Sequence, residues 1–190
     1  MSVTTVVILV VLFFVAVYAV SVYNGLVRVK HGVTKAWSNI DVLLKQRHDE
    51  LPKLVETCKQ YMQHERTTLE QVISARNAVA SARERGDVGA VGQAETGLRA
   101  GLGQLFALAE NYPQLKANES FQFLQQRISG LENGIADRRE LYNEAANINN
   151  VRVEQFPDVI VARAFNFKPA ALLVFSDSEK ADVDVKALFG

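Results

Sequence analysis

The sequence predicts an all-α fold: an N-terminal transmembrane helix followed by an elongated antiparallel helical bundle with long, kinked helices. Three observations predict it. No Lys, Arg, Asp, Glu or His occurs before Arg28. From Val33 onward the apolar residues recur at alternating steps of three and four, the signature of a helix packed along one stripe. The connections between the helical stretches are short, which favours antiparallel neighbours. The chain divides accordingly into an anchor at 1–27, a helical-bundle domain at 28–156, and a C-terminal docking segment with an acidic tail at 157–190.

The anchor runs from Val3 to Tyr23, through Phe13, Phe14 and Tyr18, without a charge. At 1.5 Å per residue such a run spans roughly 30 Å, the thickness of a hydrocarbon core. Amides inside lipid must bond within the segment, a requirement that outweighs the strand preference of its many valines. Tyr23 is placed to anchor at the interface. Met1-Ser2 adds no basic residue, the apolar run is long for a signal peptide, and no small-x-small site follows, so an uncleaved anchor is expected. Arg28, Lys30 and Lys35 then place the bulk of the chain on the cytoplasmic side.

The first stripe comprises Val33, Trp37, Ile40, Leu44, Arg47, Leu51, Leu54, Cys58, Tyr61, Glu65, Leu69, Val72, Arg76, Val79 and Arg83. Pro52 falls inside it without resetting the phase, which predicts a kink in one continuing coiled-coil-like helix. Gly86-Asp87 reads as a terminating glycine followed by an N-cap. The second helix carries Val91, Ala94, Leu98, Leu102, Leu105, Leu108 and Tyr112 on one face. Its glycines (89, 92, 97, 101 and 103) each lower helix stability by up to about 1 kcal/mol relative to alanine, which predicts close approach of a neighbouring helix backbone.

A turn at 112–118, through Pro113, gives Asn118 as N-cap and Glu119 at the positive helix end. The third helix carries Phe121, Leu124, Ile128, Leu131, Ile135, Arg138, Tyr142, Ala145 and Asn149, and is expected to end in the 147–150 region or shortly after, well before Phe156-Pro157. Beyond it, 159–167 is either extended or a docked helix, and 169–175 could open a short helix with proline in its first turn. The docking residues Phe156, Phe165, Phe167 and Phe175 require cover from the bundle, lipid or a neighbouring subunit.

Composition narrows function by exclusion. Twenty-one basic and 21 acidic residues balance to zero, which gives no reason to expect nucleic acid as a partner. Cys58 is the lone cysteine and reads as an apolar filler. None of His31, His48 and His64 belongs to a Glu-x-x-His pair, and His64-Glu65 lacks the second histidine of a zinc-protease helix, since Thr68 stands there. The Gly86-x-x-Gly89-x-x-Gly92 run lacks the Lys-Ser/Thr of a phosphate loop, and Asn118-Glu119-Ser120 is as well explained by a helix cap as by glycosylation. No catalytic, cofactor-binding or metal-binding set emerges. The charged residues on the stripes, Arg47, Glu65, Arg76, Arg83 and Arg138, have two readings: an inter-helix or inter-subunit ion network that fixes register, or snorkelling at the stripe edge.

Ordered motifs then carry a resemblance. They are Tyr23-Asn24-x-Leu26-Val27, Ala36-Trp37-Ser38-x-Ile40-Asp41-Val42-x-Leu44-x-x-Arg47, Leu51-Pro52-x-Leu54-Val55, His64-Glu65 and Ala75-Arg76. The most specific is Glu110-Asn111-Tyr112-Pro113-x-Leu115-Lys116-Ala117-Asn118, followed by Glu132, Arg139-x-x-Tyr142-Asn143, Asn149, Phe156-Pro157 and Phe165-x-Phe167. The chain resembles the LemA family of bacterial membrane proteins over nearly its whole length. That resemblance implies a membrane helix with a helical bundle in the bacterial inner membrane, relatives associated with magnetosome membranes, and no defined molecular activity. It also marks Trp37, Asp41, Arg47, Pro52, Glu65, Arg76, Glu110, Tyr112, Pro113, Asn118, Glu132, Arg139, Tyr142 and Asn143 as bundle and assembly positions. The functional expectation is a self-associating scaffold on the lipid bilayer, present in many copies. The alternative is an accessory or receptor subunit that recruits another membrane protein, such as a protease or transporter. An enzyme is not expected.

Overall fold

A computed structural model describes residues 2–174; Phe175 and the acidic tail lie outside the described residues. Six helices follow one another: α1 (Val3–Tyr61), α2 (Arg66–Glu84), α3 (Val88–Ala109), α4 (Pro113–Lys116), α5 (Glu119–Glu154) and α6 (Asp158–Ala164). No strand occurs among the described residues. The expected all-helical bundle is present. Contacts divide the described chain into two units, one of 2–40 with 138–172, the other of 41–137 with 173 and 174.

The 41–137 unit is built from the C-terminal part of α1, α2, α3, α4 and the N-terminal part of α5. Leu51, Leu54, Cys58, Leu69, Val72, Leu98, Leu102, Leu105, Phe121 and Ile128 close its core. Burying each large aliphatic side chain contributes about 1.5–3 kcal/mol. One expectation is corrected. Pro52 does lie within α1, but the helix ends at Tyr61 and the chain reverses over 62–65 before α2 begins. The partners Arg76/His48 and Arg83/Asp41 lie symmetrically about residue 62, as an antiparallel hairpin requires. The stripe from Leu51 to Val79 thus folds back on itself, and the turn conserves its phase.

At 85–87 the predicted stop is present in full. Gly86 takes φ +66°, its N–H donates to the Arg83 carbonyl (3.0 Å), and the Asp87 N–H donates to the Ala82 carbonyl (3.2 Å). These two bonds form a Schellman motif, after which Asp87 accepts from the Ala90 N–H at 3.0 Å and caps α3. The glycines of α3 follow the expectation only in part. Among them Gly101 meets α2 at Val72, whereas a Cβ at Gly92 would lie 3.0 Å from the carbonyl of Val174, in an extended segment. Gly97 and Gly103 face open space.

Helix α5 begins as predicted, with Asn118 accepting from the Phe121 N–H at 3.0 Å. It then runs to Glu154, shortly after the 147–150 region. Its buried positions start as 121, 124, 128, 131 and 135 and continue as Arg139, Tyr142, Ala146, Asn149 and Val153. Arg139 and Ala146 therefore replace the expected Arg138 and Ala145, and Arg138 is exposed. A straight helix of 3.6 residues per turn drifts by about 20° per heptad, which carries the buried line from the fourth to the fifth position of the repeat.

In the other unit, Val22 and Leu26 of α1 pack with Val153 of α5 and Ala162 of α6. Residues 158–164 thus form a docked helix. Residues 167–174 are not helical, contrary to the short helix expected from Pro169.

Candidate functional site

Among the described residues the most deeply buried polar side chain is Arg47, only 1% exposed on α1 in the 41–137 unit. Its guanidinium bonds Glu95 of α3 through one terminal nitrogen and Glu132 of α5 through the other. Arg99 Nε reaches the second oxygen of Glu132 at 3.3 Å. Burial works against the charge, yet the two carboxylates outweigh it and raise the Arg47 pKa above its ordinary value. Three helices are therefore tied at one level by charge-assisted hydrogen bonds. Glu95, 2% exposed, escaped the sequence reading. It lies four residues after Val91 and three before Leu98, so Glu95 and not Ala94 holds this stripe position.

A second polar cluster forms at the next residue of α1, His48. Pro52 has no N–H, so the carbonyl of His48, its i−4 partner, loses the helical bond. Arg76 Nε supplies a substitute at 3.0 Å, and an Arg76 terminal nitrogen lies 2.6 Å from His48 Nε2. A guanidinium can only donate, so Nε2 accepts and the ring proton resides on Nδ1. Burial, followed by the Arg76 charge, lowers the His48 pKa.

Other singled-out residues of this unit hold its turns. Tyr112 donates to Glu65 (3.2 Å), linking the end of α3 to the start of α2. Asn118 donates to the Tyr61 hydroxyl (3.1 Å) at the end of α1. Arg83 pairs with Asp41 at 2.9 Å and Lys116 with Glu110. Pro113 opens α4. Of the charged stripe residues, Arg47 is buried in an ion network, Arg76 and Arg83 are half-buried with partners on α1, and Glu65 serves a turn.

Cys58 is fully buried, and burial pushes its pKa up to about 12. The folded chain is therefore expected to resist maleimide at pH 7 and to react stoichiometrically once unfolded in denaturant, as followed by intact-mass measurement. Rapid labelling of the folded protein would contradict this burial.

In the unit of 2–40 with 138–172, Val3, Phe13, Phe14 and Tyr18 are exposed along α1. The Tyr23 ring meets Phe165 edge-on with centroids 4.8 Å apart, and Phe167 at 5.6 Å. Trp37 meets Tyr142 at 5.5 Å. Arg139 is buried and Asn143 half-buried on α5. Phe156 is 81% exposed.

Side chains of α5 hold the extended segment. The Tyr142 hydroxyl donates to the Ala171 carbonyl (2.7 Å), and Asn149 Nδ2 to the Lys168 carbonyl (3.3 Å). Asn150 accepts from the Ala170 N–H (2.7 Å) and donates to its carbonyl (3.0 Å), doing for that residue what a neighbouring strand would. These asparagines, in the last turns of α5, act as the clamp.

Among the described residues no group of three or more His, Cys, Asp or Glu gathers as a metal site. Among the described residues one helix, α1, is long and apolar enough at its N-terminal end to cross a membrane, and none of that stretch is buried by the described chain. A helical bundle continuous with such a helix defines the class, a membrane-associated helical protein. The chain belongs to the LemA family, which matches over residues 36–187. Magnetosome protein MamQ 2 of Paramagnetospirillum magneticum is 33% identical over 88 residues, covering 45% of this chain and 32% of that protein; Magnetosome protein MamQ 1 of the same organism matches equally. Magnetosome protein MamQ of Magnetospirillum gryphiswaldense is 22% identical over 169 residues, covering 77% of this chain and 62% of its own length. The chain thus spans from a third to three-fifths of the length of these relatives.

Proposed function

We propose that this protein is a scaffold of the bacterial inner membrane, without catalysis of its own, whose copies associate side by side with most of the chain on the cytoplasmic side. The observation that carries the reading is an outward apolar face on the C-terminal part of α5. Leu141, Ile148 and Val151 fall within one quadrant of that helix and are 59%, 48% and 50% exposed. In the same unit the stripe residues Val33 and Trp37 of α1 are only half-buried. The apolar stripes of the 41–137 unit close within one chain. The unit of 2–40 with 138–172 therefore bears the proposal. Confinement to a bilayer raises the effective concentration of such faces for one another. The cytoplasmic assignment is supported by Arg28, Lys30 and Lys35 just after the span.

Light scattering in mild detergent tests it. The wild-type chain is expected to exceed one protomer per micelle at micromolar concentration, and Leu141→Glu/Ile148→Glu to reduce it to one with its helicity intact. A wild-type monomer throughout that range would sink the scaffold. The internal closure of the 41–137 unit favours a second reading, in which one copy presents the same α5 face to another membrane protein. Crosslinking at residue 148 in native membranes would then yield a heterologous adduct and no self-adduct.

A further inference from the structure

Where the apolar run of α1 ends, a polar cleft of about 610 Å³ opens between Ser21, Asn24 and Arg28 of α1 and Arg152, Gln155 and Asp158 at the corner between α5 and α6. All of these residues belong to one unit. Asp158 is buried, and it fixes Arg152 by accepting from Nε, with Gln155 Nε2 sharing the same carboxylate oxygen at 3.1 Å. That leaves the terminal nitrogens of Arg152 without a protein acceptor among the described residues. They lie over Gly25, where a Cβ would come within 2.8 Å of one of them. The backbone of α1 thus makes room for a guanidinium that has donors to spare. Arg28, one turn along α1, is exposed and has no ion pair among the described residues.

Two guanidinium groups against one carboxylate leave the cleft with one net positive charge, which matches one phosphodiester. Arginine suits that group because its planar fork donates to two phosphate oxygens at once. Position selects the source of the phosphate. The cleft begins where the uncharged stretch of α1 gives way to its first charge, the depth at which headgroups lie if the apolar run spans the bilayer. Phe156 and Ile160, on the same corner and on α6, are 81% and 61% exposed, a placement that suits the interface between headgroups and chains.

We propose that this cleft seats the headgroup phosphate of an anionic membrane phospholipid, with Phe156 and Ile160 lying in the interface beside it. The proposal rests on membrane insertion of α1 and is independent of self-association. Native mass spectrometry of the full chain, purified in detergent with added phosphatidylglycerol or phosphatidylcholine, tests it. The wild-type chain is expected to retain one phosphatidylglycerol in preference to phosphatidylcholine. Arg28→Gln should weaken that retention about ten-fold, the loss of one charge-assisted bond, whereas Lys35→Gln should not change it. Equal losses from both variants would mean diffuse attraction and overturn the seat, as would thermal protection by inorganic phosphate equal to that by the lipid. Insertion is read separately. Release of the wild-type chain from vesicles by alkaline carbonate would remove the premise, whereas a chain that stays inserted but shows no lipid preference refutes the seat alone.

Discussion

Arg47→Leu is expected to lower the unfolding free energy of the full chain in detergent by about 3–5 kcal/mol, the cost of removing one partner from a buried ion pair. The variant withdraws the guanidinium from two carboxylates at once, one of them on a residue 2% exposed. A carboxylate does not easily stay charged there without its cation. The informative comparison is with Arg47→Leu/Glu95→Leu. Glu132 keeps Arg99 at 3.3 Å, and two leucines fill the place of the buried pair. The double variant should therefore be more stable than the sum of the two single losses by about 2 kcal/mol. Denaturant titrations followed by circular dichroism measure all four corners of the cycle. Strict additivity would show that Arg47 and Glu95 act independently and that the network does not hold the helices in register.

This network also shows what the sequence discloses and what it conceals. The helices, the Gly86-Asp87 stop, the Asn118 cap and the passage of α1 through Pro52 were all legible, because each depends on residues within a turn or two of one another. The reversal at 62–65 was not. No glycine or proline marks it, Glu65 precedes α2 without a side-chain cap, and the three-four spacing continues across the turn as though the helix did. Arg47 was legible as a charge on an apolar stripe, but its choice between a network and the stripe edge depended on Glu95, which a one-residue error in the α3 stripe had hidden. Position 139 in place of 138 has a similar cause, a slow drift between a seven-residue repeat and a 3.6-residue turn. The extended segment at 167–174 was illegible for a different reason. Its hydrogen bonds come from Tyr142, Asn149 and Asn150, some 20 to 30 residues earlier, and local sequence carries no record of them.

A second large effect is expected at Arg76. Arg76→Met should cost about 1 kcal/mol or somewhat more, the lower part of the range for leaving an acceptor unsatisfied, because this carbonyl is half-buried. That acceptor exists because Pro52 cannot bond the His48 carbonyl. In a Pro52→Ala background, residue 52 regains its N–H and can close the helical bond itself, so the same Arg76→Met change should cost clearly less. Equal costs in the two backgrounds would show that Arg76 acts elsewhere. A pH dependence follows from the same contact. His48 titrates below its ordinary value of 6.5 in the folded chain, first because of burial and then because of the Arg76 charge. As pH falls below about 6.5 the unfolded chain takes up the proton first. The His48 contribution is therefore complete above that pH and declines as the solution is acidified towards the folded-state value. Unfolding midpoints between pH 5 and 8 should show this acid-side loss in the wild type and a shallower one in Arg76→Met, where burial alone still opposes the charged ring. An unchanged slope would leave the His48 carbonyl, freed by Pro52, as the only reason for an arginine at this position.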